Sequence, residues 1–136
     1  MEHKGGCHCG NIAITFSTQI APDHMTPIAC QCAFCRKHNV LAVADPDGHI
    51  EIGIGNETEV NRYRFGLCTA EYLICRICGV YVAAITIDAP ERGLVIVNCL
   101  DDRTRFTAEP VAADYGGETE TERKARRRKG WTPLLP

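Results

Sequence analysis

"YLICRICGVYV", residues 72–82, decides how this chain folds. Cys75 and Cys78 are separated by two residues, and Gly79 follows. In such a turn the backbone curls until both thiolates face one point. Glycine after the second cysteine permits the left-handed conformation that aims amides at sulfur. The flanks, "AEYLIC" (70–75) and "VYVAAITI" (80–87), are rich in β-branched and aromatic residues and predict strands. A second pair, Cys7 and Cys9 in "GGCHCG" (5–10), also ends in glycine. Two ligands from each pair make a closed four-thiolate site of Cys7, Cys9, Cys75 and Cys78, which suits a structural zinc. Such a site ties the start of the chain to its middle and supplies on the order of 10 kcal/mol of apparent binding energy.

Outward from the knuckle, strands dominate. "NIAITF" (11–16) alternates Ile12, Ile14 and Phe16 with smaller residues, the period of a half-buried strand. "HIEIGI" (49–54) repeats it with Ile50, Ile52 and Ile54, while "EVNRYRF" (59–65) and "GLVIVNCL" (93–100) are further candidates. Turn signals fall between them: "DPDG" at 45–48, "GN" at 55–56 and "APERG" at 89–93. Helices are expected only as a short turn around 32–38 and from about Glu118 to Lys129. The expected architecture is mainly β and mostly antiparallel, with a β body over 1–117 and a basic C-terminal helix or arm over 118–136.

The chain has 136 residues, nine of them cysteine, and a formal charge of −2. No apolar run approaches the roughly 18 residues that span a bilayer. The first residues, "MEHKGGCHCG", lack the apolar stretch of a secretory signal, so a cytoplasmic protein is expected. Disulfides do not persist in reducing cytosol, which leaves metal or redox chemistry for the cysteines. The charge is uneven. "RKARRRK" (123–129) carries six of the fifteen basic residues, leaving nine against seventeen acidic ones, a body at −8. Nucleic-acid binding is one use of such a tail. An acidic body that repels phosphate, and no interleaving of basic with aromatic residues, favour instead a solvated helix or one lying on its own body. Trp131 is expected to dock the tail end.

The third cluster, "ACQCAFCRKH" (29–38), holds Cys30, Cys32 and Cys35. Three protein ligands are typical of a catalytic zinc, whose fourth position takes water or substrate. The alternative is a second closed site with His38, three residues after Cys35, as fourth ligand; His3, His8, His24 and His49 are other donors. Spacing leaves both open.

"GGCHCGNIAITF", "CQCAFCRKHN" and "YLICRICGVYV", in this order, resemble the glutathione-dependent formaldehyde-activating enzymes, a family that shares its domain with centromere protein V. The resemblance implies a β-tent fold with two zincs and addition of glutathione to formaldehyde, giving S-hydroxymethylglutathione. It implies structural ligands at Cys7, Cys9, Cys75 and Cys78, and an exchangeable, catalytic zinc on Cys30, Cys32 and Cys35.

Three thiolates give Zn(II) a net charge of −1 and make it a weak Lewis acid, so holding an incoming thiol as thiolate suits the site better than making hydroxide. The expected activity is that of a carbon–sulfur lyase or synthase on a thiol–aldehyde adduct, with glutathione and a small aldehyde as partners. Arg36 and Lys37 follow the cluster, and a bidentate arginine is a good receptor for a glutathione carboxylate; an exposed turn with solvated charges is the plainer account. Tyr72 and Tyr81 are candidates to donate a phenol to a carbonyl oxygen or, more simply, to pack in the core. Two other classes compete. One is a non-catalytic, zinc-stapled binding or thiol-carrier module. The other is a methionine sulfoxide reductase, which needs a free nucleophilic cysteine. Only Cys68 or Cys99 could serve there, and both are expected to be small buried hydrophobes.

Overall fold

Alternating Ile12, Ile14 and Phe16 turn one face of a strand wholly inward, and a three-stranded antiparallel sheet forms around them. Its strands are β1 (Glu2–Gly6), β2 (Ile12–Ser17) and β5 (His49–Ile54), in the order β1-β2-β5. Register sets Ile14 opposite Ile52 and Phe16 opposite Ile50, so the apolar faces coincide. The computed structural model describes all residues, 1–136.

The second sheet contains β3 (Ile28–Cys30), β4 (Ala42–Val43), β6 (Val60–Tyr63), β7 (Ala70–Cys75), β8 (Tyr81–Thr86), β9 (Arg92–Ile96) and β10 (Val111–Ala113). They run in the order β10-β3-β4-β9-β8-β7-β6, and β11 (Thr132–Pro133) adds to β9. Only the β10–β3 pairing is parallel. From Tyr81 to Ile85, β8 is buried at every residue, as a strand covered on both faces must be. Val82 and Ile85 enter the core between the sheets, while Ala84 lies under Trp131. The protein is thus mainly β, in two sheets.

Strands β2, β5, β7 and β8 fall where the pattern predicts them. "GLVIVNCL" is strand only to Ile96; Val97–Cys99 tighten into a 3-10 turn. Two helices complete the chain, α1 (Ala33–His38) and α2 (Glu120–Gly130). Thr119 and Glu122 close a capping box at the start of α2, each side chain satisfying the other's backbone N–H. Trp131, only 6% exposed, packs against Ala70 and Ala84 and pins the helix end to β7 and β8. No helix is long and apolar enough to cross a membrane.

Candidate metal centres and the cavity between sheet and helix

Cys7 and Cys9 lie in the β1–β2 turn; Cys75 ends β7, and Cys78 lies in the turn to β8. The two turns meet, bringing all four sulfurs within 4.8 Å of one another. Cys7 Sγ is 3.8 Å from Cys9 Sγ, and Cys9 Sγ is 3.5 Å from Cys75 Sγ. Four sulfurs about 2.3 Å from a tetrahedral zinc would stand about 3.8 Å apart, so these residues fit that ion. Gly10 and Gly79, each after the second cysteine of its pair, have φ of +88° and +80°. That left-handed geometry is the one glycine takes without strain. The Ile12 amide donates to Cys7 Sγ at 3.2 Å.

Cys30, Cys32 and Cys35 form the second group, their sulfurs also within 4.8 Å of each other. Cys30 ends β3. Cys32 caps α1, its Sγ accepting from the Cys35 amide at 3.4 Å, so one helical turn sets both side chains toward Cys30. No histidine, aspartate or glutamate joins the group. The exposed His38 ring lies against Phe34 and Tyr81, with centroids 4.5 and 5.5 Å away. The three sulfurs thus group with one another and His38 stands outside the group.

Proton affinities differ sharply within each group. The Cys35 thiol, with lesser help from the Cys30–Cys32 contacts and the Arg126 charge, brings Cys30 down to about 5 against the opposing effect of burial. Cys35, donating to Cys30 and buried beside its charge, is driven far up. In the other group burial opposes ionisation of Cys78, but amides at Cys9 and Val80 and neighbouring thiols bring it to about 6. In each group one sulfur ionises easily while another, Cys35 or Cys9, resists. Such a cluster has the donor chemistry of a cation site, because a bound cation removes the repulsion between thiolates.

A cavity of about 360 Å³ opens beside the three-sulfur group, lined in part by Cys30, Cys35, Tyr72, Tyr81, Arg127 and Trp131. Arg36 and Lys37 are exposed on α1 and do not line it; the cations there are Arg126 and Arg127 from α2. Sequence reasoning, which expected a solvated helix or one lying on its own body, did not place these two at a cavity. The signal was present in Trp131, whose docking forces the last turn of α2 onto the sheet. Most of the run is engaged on the protein itself. Glu118 binds Arg123 at 3.1 Å and Arg126 at 2.7 Å, Lys124 pairs with Asp88 at 3.4 Å, and Arg127 is buried.

Tyr81 is fully buried with its hydroxyl unpartnered, and the Tyr72 hydroxyl meets Arg127 Nη2 at 3.5 Å. Burial pushes both phenols up, Tyr81 furthest, so both remain protonated donors at neutral pH. Cys99 is half-buried, its thiol donating to the Tyr81 carbonyl at 3.1 Å. Cys68, expected to be buried, is exposed, in a turn with φ +56° where its thiol donates to the Gly66 carbonyl. Neither lines the cavity, so the reductase arrangement of a free thiol in this cleft is absent.

A two-sheet β fold with two clusters of cysteine sulfurs, one of them open to a cavity, defines a class of cysteine-rich, metal-competent β proteins. Residues 2–117 match the family model described as glutathione-dependent formaldehyde-activating enzyme. The chain belongs to that family, which implies glutathione-related activation of formaldehyde. It is also similar to a protein of Rhodobacter sphaeroides solved by crystallography, at 26% identity and a TM-score of 0.56. That match covers 79% of this chain and 99% of the other. Residues 118–136, including the whole of α2, lie beyond the family match.

Proposed function

We propose that this protein is a zinc-dependent carbon–sulfur lyase or synthase acting on a thiol–aldehyde adduct, with a thiol such as glutathione and a small aldehyde as its partners. Cys7, Cys9, Cys75 and Cys78 hold a structural zinc in a β body over 1–117, and Cys30, Cys32 and Cys35 hold an exchangeable one. The residues 118–136 form an arm that closes the site. When bound, the second zinc keeps an incoming thiol as thiolate at neutral pH.

The observation that carries this reading is the three-sulfur group without a fourth protein ligand, set at the wall of a cavity. The remaining work falls to residues of the chain. Trp131, Leu94 and the α2 wall exclude water and hold the two reactants together, and proximity supplies much of the acceleration. As sulfur adds to the carbonyl carbon, the carbonyl π electrons move to oxygen, which needs a proton. Tyr81, with a hydroxyl that has no protein acceptor, hydrogen-bonds that oxygen, and the proton given up by the thiol ends there, so no net proton is drawn from the protein.

Metal stoichiometry tests the reading. A mild chelator should remove about one zinc per chain and leave the fold intact, and added glutathione should change the rate of that loss. Loss of both metals together with unfolding, or retention of both, would refute two unlike sites.

A further inference from the structure

Arg127 is buried to 6% exposure and has no anionic partner. Its Nη1 donates to the Thr69 hydroxyl at 2.7 Å, and Nη2 reaches only the Tyr72 hydroxyl at 3.5 Å, the limit of a hydrogen bond. Its Nε–H is buried without an acceptor, and the guanidinium lies 4.5 Å over the Trp131 ring. Every candidate counter-ion is already engaged. Glu118 is taken by Arg123 and Arg126, and Asp88, in the small cleft on the other flank of Arg127, pairs with Lys124. Tyr72 is no substitute anion, since burial raises its phenol. Buried charges in native proteins are paired or saturated with hydrogen bonds, and this one is neither.

The cavity that Arg127 lines is mostly apolar, with Ile28, Val43, Leu94, Tyr81 and Trp131 in its wall, and the second cation there, Arg126, is already held by Glu118. None of its lining residues is aspartate or glutamate. A ligand bearing an ammonium group would find no carboxylate to pair with it there, only sulfurs that a bound metal would claim, and an unpaired buried charge is heavily disfavoured. Glutathione carries such an ammonium and a second carboxylate, so a molecule with a single carboxylate matches this wall better.

We propose that the cavity takes an apolar monocarboxylate, a single carboxylate on a hydrophobic body, with Arg127 as the carboxylate receptor. The inference rests on the cavity being the place where a small molecule meets the three cysteines, and it narrows that molecule. A guanidinium fork matches a carboxylate in two parallel hydrogen bonds, and its stacking on Trp131 holds it ready. The helix that supplies Arg127 lies outside the region shared with the family, so the preference belongs to this chain's arm.

The probe is 3-phenylpropionate, compared by calorimetry with its uncharged isostere 3-phenylpropanamide on the zinc-loaded full chain. The acid should bind about ten- to a hundredfold more tightly than the amide, and more tightly than glutathione. In Arg127→Gln the advantage of acid over amide should vanish while amide binding persists. Should that variant fail to fold, the acid–amide comparison on the wild-type protein still decides. Equal binding of acid and amide, binding of neither, or a preference for glutathione would overturn the inference. The probe has no sulfur, so its binding is read apart from any thiol response at Cys30, Cys32 and Cys35. Acid discrimination without a thiol response would sink the lyase alone, and the reverse would sink the carboxylate receptor alone.

Discussion

Cys9 Sγ stands 3.5 Å from Cys75 Sγ across 66 residues of sequence. The contact closes the start of the small sheet onto the knuckle of the large one, and Cys7 and Cys75 both reach into the core between the sheets. The four-sulfur group is therefore part of the packing and not an appendage to it.

Replacing Cys75 with serine should leave an insoluble or molten chain. A structural zinc contributes folding energy directly, on the order of 10 kcal/mol, which exceeds the margin of most domains of this size. Near-ultraviolet circular dichroism and a melting curve check this. A Cys75→Ser protein that melts like wild type would remove the structural site.

Gly5 is held to glycine by space. A Cβ there would overlap the carbonyl oxygen of Cys99, which is backbone and is held in place by an isolated antiparallel bridge between Gly5 and Leu100. Gly5→Ala should lower stability by about 3 kcal/mol, as overpacking against rigid neighbours does. Chemical denaturation measures it; a loss below a few tenths would contradict the packing.

Duplex DNA should bind weakly at physiological salt. Arg123, Lys124 and Arg126 are paired within the protein and Arg127 is buried, leaving Arg128 and Lys129 as the exposed remainder of the basic run. A nanomolar dissociation constant falling steeply with salt would overturn this.

Acid should loosen the C-terminal arm. Hydrogen bonds from Arg126, and then from Arg123, hold the Glu118 carboxyl below its ordinary value of 4.5. A carboxylate with a depressed folded pKa stabilises above its unfolded value, and the benefit fades as pH falls through the folded one. Wild type should therefore exceed Glu118→Gln in stability at neutral pH, by on the order of 1 kcal/mol, with the gap closing below pH 4.5. Trp131, the sole tryptophan, reports arm docking by fluorescence. A gap that is independent of pH would rule out this role for Glu118.

Much of this arrangement was legible because periodicity and spacing are local. Ile12, Ile14 and Phe16 announce their own strand, and the glycines after Cys9 and Cys78 announce their turns. The short strands were not legible. Three residues at Ile28–Cys30 and two at Thr132–Pro133 carry no period and become strands only because a partner lies alongside. Strand β1 hides behind "EHKGG", whose glycines disfavour a strand in isolation. The cavity wall was invisible for a related reason. Arg127 looks like its basic neighbours until Trp131 fixes which face of α2 meets the sheet.

The central claim is that Cys30, Cys32 and Cys35 leave one coordination position to an outside thiol, and cobalt substitution tests it most directly. Adding glutathione, or a thiol with one carboxylate, to the cobalt protein should shift the ligand-field bands as sulfur enters the coordination sphere. His38→Ala should keep that response, since the His38 ring packs on Phe34 and Tyr81 and stands apart from the sulfur group. Bands that ignore every thiol, together with loss of one metal in His38→Ala, would mean a closed three-cysteine, one-histidine site and would contradict the account.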